Sequence, residues 1–263
     1  MKKLLNILAC SLLLAGLLGC SSNTAKEKYL QYEAAQANFD YLNAELSQTI
    51  NVVEQIGNNV VNANISTEFI STARNGEIVE FYVDNYEEII TKDNRFDLEL
   101  CATVLDNTLY YSDTYELGDL KVMARVEDAS INEACVEVLG IYGLSVYPVH
   151  SEAIEKVTFT DLGGGKQFDY VINPDLAIDK IYDVVYSAFP TTEIGGYTVK
   201  KATGSVVTDN DFQIHQISLD LELEMDFAEG KGTVTIAEER TVVKVGDVVV
   251  SIPSDIENYR LID

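Results

Sequence analysis

Tryptophan is absent, histidine occurs twice, and basic residues are scarce: 18 Lys plus Arg stand against 43 Asp plus Glu, a formal net charge of −25 over 263 residues. Each shortage excludes something. A protein that grips nucleic acid or an anionic membrane surface by charge needs a basic face. No Lys/Arg cluster exists here beyond Lys2-Lys3 and Lys200-Lys201, so nucleic acid is not an expected partner. Without tryptophan, the commonest platform for stacking sugars is missing. His150 and His215 stand at spacings unrelated to the cysteines, so no tetrahedral zinc set is available. Neither Gly-x-Ser-x-Gly nor His-Glu-x-x-His occurs. In so acidic a chain a pair of carboxylates at glycosidase distance arises by chance. The segment Asp161-Leu162-Gly163-Gly164-Gly165-Lys166 lacks the spacing of a phosphate loop and precedes a strand, so it reads as a turn. No metal, cofactor or catalytic group is expected, which argues against an enzyme. What the chain does have is 47% hydrophobic residues, too many for a disordered protein and enough for a real core.

The first twenty residues define an address. Met1-Lys2-Lys3 is a short positive region, and residues 4–18 are apolar apart from Asn6 and Ser11. The run is too short for an ordinary membrane span and fits a secretory hydrophobic region. It ends in Leu17-Leu18-Gly19-Cys20, which resembles the lipobox of bacterial lipoproteins. The resemblance implies cleavage between Gly19 and Cys20, diacylglycerol on the Cys20 thiol and acylation of the new amino group. It thus implies a protein held by its lipid on the extracytoplasmic face of a membrane. Residues 1–19 are then signal peptide and 20–26 a lipidated tether. An acidic body gains nothing from anionic head groups, so anchoring rests on acyl chains, each buried CH2 contributing about 0.8 kcal/mol.

Cys10 leaves with the signal peptide and Cys20 is lipidated, which leaves Cys101 and Cys135. Phe96, Leu98, Leu100, Ala102 and Val104 alternate with Asp97, Glu99, Cys101 and Thr103, placing Cys101 on a polar strand face; Cys135 shares its face with Glu133 and Glu137. Two alternatives stay open: a disulfide between neighbouring strands, or two free thiols.

Residues 27–57 contain neither Pro nor Gly before Gly57, and Tyr32, Ala35, Phe39, Leu42, Leu46, Thr49, Val53 and Ile56 recur at steps of three and four. This pattern predicts a long amphipathic helix, about 45 Å if unbroken. It either packs on the domain behind it or forms a coiled-coil seam, with a break conceivable at Gln48-Asn51 where β-branched residues accumulate. From 58 to 263 the period is two. Strands are expected at 60–71, 77–84, 86–91, 95–105, 108–116, 119–127, 131–139, 144–149, 154–161, 166–172, 195–207, 211–227, 232–245 and 247–252. In the strand 211–227, Ile217, Leu219, Leu221, Leu223, Met225 and Phe227 alternate with polar residues, while Phe212 and Ile214 run in the opposite phase. A bulge is therefore expected near His215-Gln216. The acidic ladder Asp220, Glu222, Glu224, Asp226 of the same strand is a solvated face, since carboxylates in line do not wrap a cation. Asn173 as cap, Pro174 at the first turn and the stripe Ile178, Ile181, Tyr182, Val185 and Phe189 predict a central helix at 174–188. The fold class is therefore α+β, mostly antiparallel β. It is a curved sheet or incomplete β-barrel with a long N-terminal helix and a central amphipathic helix.

That order of elements, with the run Val248-Val249-Val250-Ser251-Ile252-Pro253 near the end, resembles the LolA/LolB/LppX-type lipoproteins. The resemblance implies an incomplete barrel whose concave apolar face, covered by helices, receives acyl chains. Leu219, Leu221, Leu223 and Met225 would then line that face beneath the helix carrying Ile181 and Val185. Two functional readings result. One is a non-enzymatic, membrane-anchored lipoprotein that binds a lipid or other apolar ligand in the curved sheet. The other is an envelope protein–protein interaction or scaffolding module using the long helix, through Phe39 and Leu46, and the acidic faces.

Overall fold

The computed structural model describes residues 24–114, 121–127, 130–131, 149–177, 181–182, 184–185, 188, 196–227 and 230–262. The expected signal peptide, the cleavage site Gly19-Cys20 and Cys135 lie outside these residues, as do the expected strands 131–139 and 144–149 apart from Ile131 and Val149.

The chain starts with a helix, α1, over 24–35, which tightens into a 3-10 turn at Gln36–Asn38. It then enters a sheet of twelve strands among the described residues. These are β1 Ala44–Ile56, β2 Asn59–Arg74, β3 Glu77–Ile90, β4 Arg95–Leu105, β5 Thr108–Asp113, β6 Lys121–Arg125, β7 Ile154–Asp161, β8 Gly165–Ile172, β9 Tyr197–Asp209, β10 Ile214–Phe227, β11 Gly230–Val245 and β12 Tyr259–Leu261. In space the order is β12-β6-β5-β4-β3-β2-β1-β11-β10-β9-β8-β7. The chain begins at the middle, meanders out to β6, restarts at the far edge with β7 and meanders back until β11 lies beside β1. Every pairing is antiparallel except that of β12 with β6. The result is one large curved sheet, mostly antiparallel and unclosed.

Local chemistry explains the tight connections. Asn75-Gly76 and Asp106-Asn107 both hold positive φ at two successive positions, the geometry that joins twisted antiparallel strands through a two-residue turn. The expected bulge is present: the β9–β10 register shifts between Ile214 and Gln216.

The two long helices are not what the chain forms. Residues 44–56 are β1, not helix. Asp40 ends the helical start through a local turn, its carboxylate accepting from the Leu42 amide and the Asn43 side chain. Beyond it Thr49, Ile50, Val52, Val53 and Ile56 are β-branched, and Leu46, Gln48, Ile50 and Val52 are buried while Thr49, Asn51 and Val53 face outward. A period of two won over one of three to four. Leu46 is therefore a core residue between β2 and β11, not part of a docking face. The span 174–188 does not run as one helix from Pro174 either. Asn173 caps only a 3-10 turn, Pro174–Leu176, its side chain accepting from the Asp175 amide, and Ala177 leaves helical geometry at φ −121° and ψ 28°. Described positions between 181 and 188 are helical again. Two expected strands, 77–84 and 86–91, are the single β3, and 247–252 forms no ladder.

One face of the sheet, the inner face, carries the core. Leu46 and Ile50, Phe69, Phe81, Val83, Val206, Leu219, Leu223 and Ile236 project from it into a single cluster with Ile181, Val184 and Val185. Burial of side chains this size contributes about 1.5–3 kcal/mol each. Helix α1 closes the β8 end: Tyr29 and Tyr32 pack on Phe168 at 5.5 and 5.4 Å between ring centroids, and the Tyr29 hydroxyl donates to the Val149 carbonyl at 2.7 Å. Gly204 permits Tyr170 to lie across β9, since a Cβ there would meet the ring at 2.6 Å. A polar row crosses the same inner face. Thr67 donates to Asn85 at 2.8 Å, Gln48 donates to Glu238 at 2.6 Å, and Arg240 binds the same Glu238 carboxylate, all of them buried.

Candidate functional site

The expected ligand-lining residues are brought together, but as packing. Leu219, Leu221, Leu223, Met225, Ile181 and Val185 are all 0–3% exposed and belong to the one core cluster. The cavities of roughly 190, 290, 360 and 450 Å3 among the described residues are not lined by Leu219, Leu223, Met225, Ile181 or Val185. Leu221 alone touches one, a groove of about 290 Å3 among outward-facing Asn51, Asp220, Glu222 and Thr235.

The candidate site is on the opposite face. Alternation along the strands turns Ile70 of β2, Tyr82 and Asp84 of β3, Glu99, Cys101 and Thr103 of β4, Ser112 of β5 and Lys121 of β6 away from the core. The register then sets them side by side: Ile70 opposite Tyr82, Tyr82 opposite Thr103, Asp84 opposite Cys101, Cys101 opposite Ser112, Ser112 opposite Lys121. After Val245, the chain does not end at the sheet's middle. Residues 249–255 cross this outer face as an extended strap, and the chain rejoins the sheet only at β12 beside β6. Between strap and strands is a cavity of about 360 Å3.

The strap is held at both ends. Val250 is buried while its neighbours Val249 and Ile252 are exposed, so one side chain anchors it. Farther on, Lys121 Nζ donates to Asp255 Oδ2 at 2.6 Å, and Asn258 donates to the same oxygen at 3.4 Å. Tyr259 packs edge-on against Tyr110 at 5.5 Å, and the Lys121 ammonium stands 5.7 Å from the Tyr259 ring.

Inside, the polar groups are unequally satisfied. The Tyr82 hydroxyl donates to Asp84 at 3.3 Å. Thr103 is 1% exposed, and its hydroxyl has no hydrogen-bond partner among the described residues. A buried hydroxyl left so costs about 1–3 kcal/mol, and such groups are rare in folded proteins. Cys101 is a free, half-buried thiol. Burial pushes its pKa up to about 11, and the Asp84 carboxylate beside it adds to the shift. Burial, followed by Asp84, also raises the Tyr82 phenol. Hydrogen bonding to Asp255 raises the Lys121 ammonium. At neutral pH the thiol and phenols keep their protons, and a protonated thiol is a poor nucleophile. Among the described residues no three His, Cys, Asp or Glu side chains converge to hold a metal ion, and no helix is long and apolar enough to cross a membrane.

The polar face of Cys101 was readable from alternation; the strap that covers it was not. Val248–Pro253 reads as an apolar strand, and only Pro253 followed by Ser254-Asp255 signals that it leaves the ladder. By contrast, a cavity of about 450 Å3 over β7–β10, with Ser205, Ser218, Asp169 and Asp220, is bounded among the described residues by strand residues only.

No family model matches the chain, and no curated protein matches its sequence. Among solved structures, the chain is similar to a DUF1329 family protein from Desulfovibrio piger at 7% identity and a TM-score of 0.24, covering 86% of this chain and 95% of that one. It is also similar to a porin-like protein from Bacteroides uniformis at 9% identity and a TM-score of 0.24, covering 78% and 97%. At superpositions this loose, neither neighbour bears on what this chain binds.

Proposed function

We propose that the chain is a lipid-anchored, extracytoplasmic binding protein without catalytic activity, which holds a small amphipathic molecule beneath its C-terminal strap. The cavity of about 360 Å3 under residues 249–255, with Tyr82, Asp84, Cys101 and Lys121 among its lining, carries this reading. Tyrosine rings and Ile70 supply apolar walls, and a few convergent polar groups supply orientation, the composition typical of small-molecule sites. The high thiol pKa supports a binding rather than a nucleophilic role for Cys101. Because the described residues expected to line the sheet–helix interface are packed at 0–3% exposure, this reading puts the ligand on the outer face instead of where a carrier of acyl chains would hold it.

The lipobox supports the anchor. Thr24 already lies in α1, four positions after Cys20, so the chain between them reaches at most about 14 Å at 3.3–3.6 Å per residue. A second reading, an envelope interaction module, is favoured by the exposed apolar residues Val249, Leu261 and Ile262 on the strap and the edge strand.

Full-length protein purified from its own membranes in a non-ionic detergent, then extracted and analysed by mass spectrometry against a Cys101→Phe variant that fills the cavity, tests the proposal. A small molecule enriched with the wild type and depleted from the variant is the expected result. Equal extracts, with a stoichiometric protein partner instead, would favour the interaction module.

A further inference from the structure

The segment that roofs the outer-face cavity is attached differently from the rest of the molecule. From 247 to 262 only Val250 and Tyr259 are buried. Tyr259 packs on Tyr110 of β5, yet Tyr110, Val250 and Tyr259 all stand outside the core cluster of the inner face. The polar attachments are equally few. Residues 247–254 join no ladder, and β12 pairs with β6 over three residues only, in parallel. Beyond it the Ile262 amide donates to the Met123 carbonyl at 2.9 Å. The Lys121–Asp255 ion pair is about one-third exposed on both sides, so solvent and salt weaken it. By contrast, β1 and β11 are joined at twelve register pairs.

The segment starts from a fixed point. The Gly246 amide donates to the Asn43 carbonyl at 2.7 Å, which ties the end of β11 to the sheet. Gly246 and Asp247 both hold positive φ, 72° and 49°, so the backbone turns away from the ladder at this pair. Rotation about a few dihedrals at such a point carries everything that follows.

Resting on the reading that the strap cavity is the binding site, we propose that residues 247–262 form a lid that opens as one unit. It turns at Gly246-Asp247 and releases Tyr259 from Tyr110 and Asp255 from Lys121, while the core of the sheet stays folded. Contacts this few, and separate from the core, put the lid at the low end of the range of local opening free energies. Opening bares the strand side of the cavity, with Tyr82, Cys101 and Ser112, to molecules too large to pass the closed strap.

Hydrogen exchange on the full-length protein in non-ionic detergent, with Cys101 as a second reporter, tests this. The Ile262 amide is expected to have a protection factor on the order of a hundredfold below those of Ile50 in β1 and Ile236 in β11. Tyr259→Ala is expected to lower Ile262 protection by roughly a further tenfold. The exposed change Asp255→Asn, which leaves the fold alone, is expected to lower it about two- to fivefold. Neither should alter Ile50 or Ile236. In both variants the rate of labelling by bulky fluorescein maleimide, divided by that for small N-ethylmaleimide, should rise in step. Mass spectrometry of the Cys101 peptide reads both rates, and the quotient cancels any change in thiolate fraction. Equal protection of Ile262 and Ile50, or a Tyr259→Ala variant in which both fall together, would overturn the independent lid. A lid that opens with no change in the quotient would overturn its role over the cavity. Absence of any co-purified molecule refutes the binding reading alone and moves neither readout.

Discussion

Replacing Thr103 by valine tests whether its buried hydroxyl is unpaired in the folded protein. Valine has nearly the shape of threonine, so no void opens and no side chain must move. What changes is one hydroxyl, 1% exposed and without a partner among the described residues. Because a buried unsatisfied polar group costs about 1–3 kcal/mol, Thr103→Val is expected to stabilise the ligand-free protein by about that amount. In a chain this long each kcal/mol moves the melting temperature by roughly 2–4 °C. Thr67 provides the control. It is just as buried, but its hydroxyl donates to Asn85 Oδ1 at 2.8 Å. Thr67→Val leaves that buried acceptor unpaired and is expected to destabilise by a similar amount. Urea unfolding of the two variants and the wild type, all stripped of ligand, measures both. Opposite signs support the argument. A loss of stability in Thr103→Val comparable to that in Thr67→Val would show that the hydroxyl has a protein partner in solution and would refute the reasoning.

Three further outcomes are expected. Glu238 and Arg240 form an ion pair inside the core, each side chain 2% exposed, with Gln48 donating to the same carboxylate. Arg240→Met leaves that carboxylate buried without its cation and should cost about 3–5 kcal/mol in urea unfolding, whereas adding Glu238→Leu should recover much of the loss; a double variant no better than the single one refutes this. Because burial and Asp84 push the Cys101 thiol up to about 11, its alkylation by iodoacetamide should keep accelerating from pH 8 to about 11, where an ordinary thiol would have levelled off near pH 9. Peptide mass spectrometry reads this, and a plateau near pH 9 contradicts it. Cys20→Ser should release the protein from membranes; a variant that still sediments after a salt wash removes the anchor from the account.

Much of the sheet was readable because its strands are half-buried. In β10, Ile217 to Phe227 alternates without a fault, and the phase change at His215 marks the bulge in the sequence itself. The range 95–105 for β4 was likewise set by alternation between Arg95 and the Asp106-Asn107 turn. The N-terminal misreading has a definite cause. Leu42, Leu46, Thr49 and Val53 fall at helical spacing by coincidence, and β1 lies between two neighbours on a buried face, where Gln48 occupies a position that looks polar in sequence. Its partner Glu238 is 190 residues away, so nothing local shows that Gln48 faces inward. The candidate site failed to appear for a related reason. Its floor alternates as any solvated strand face does, and its roof is a strap without a ladder of its own. Only the long-range tie from Lys121 to Asp255 turns a polar face into a cavity.

The most direct measurement is a crystal structure of protein taken from its own membranes, with the strap cavity examined for density that the chain does not explain. The account expects such density between the strap and the strands, against Tyr82, Asp84 and Cys101. A collapsed cavity, with the strap packed directly on those side chains, would contradict it.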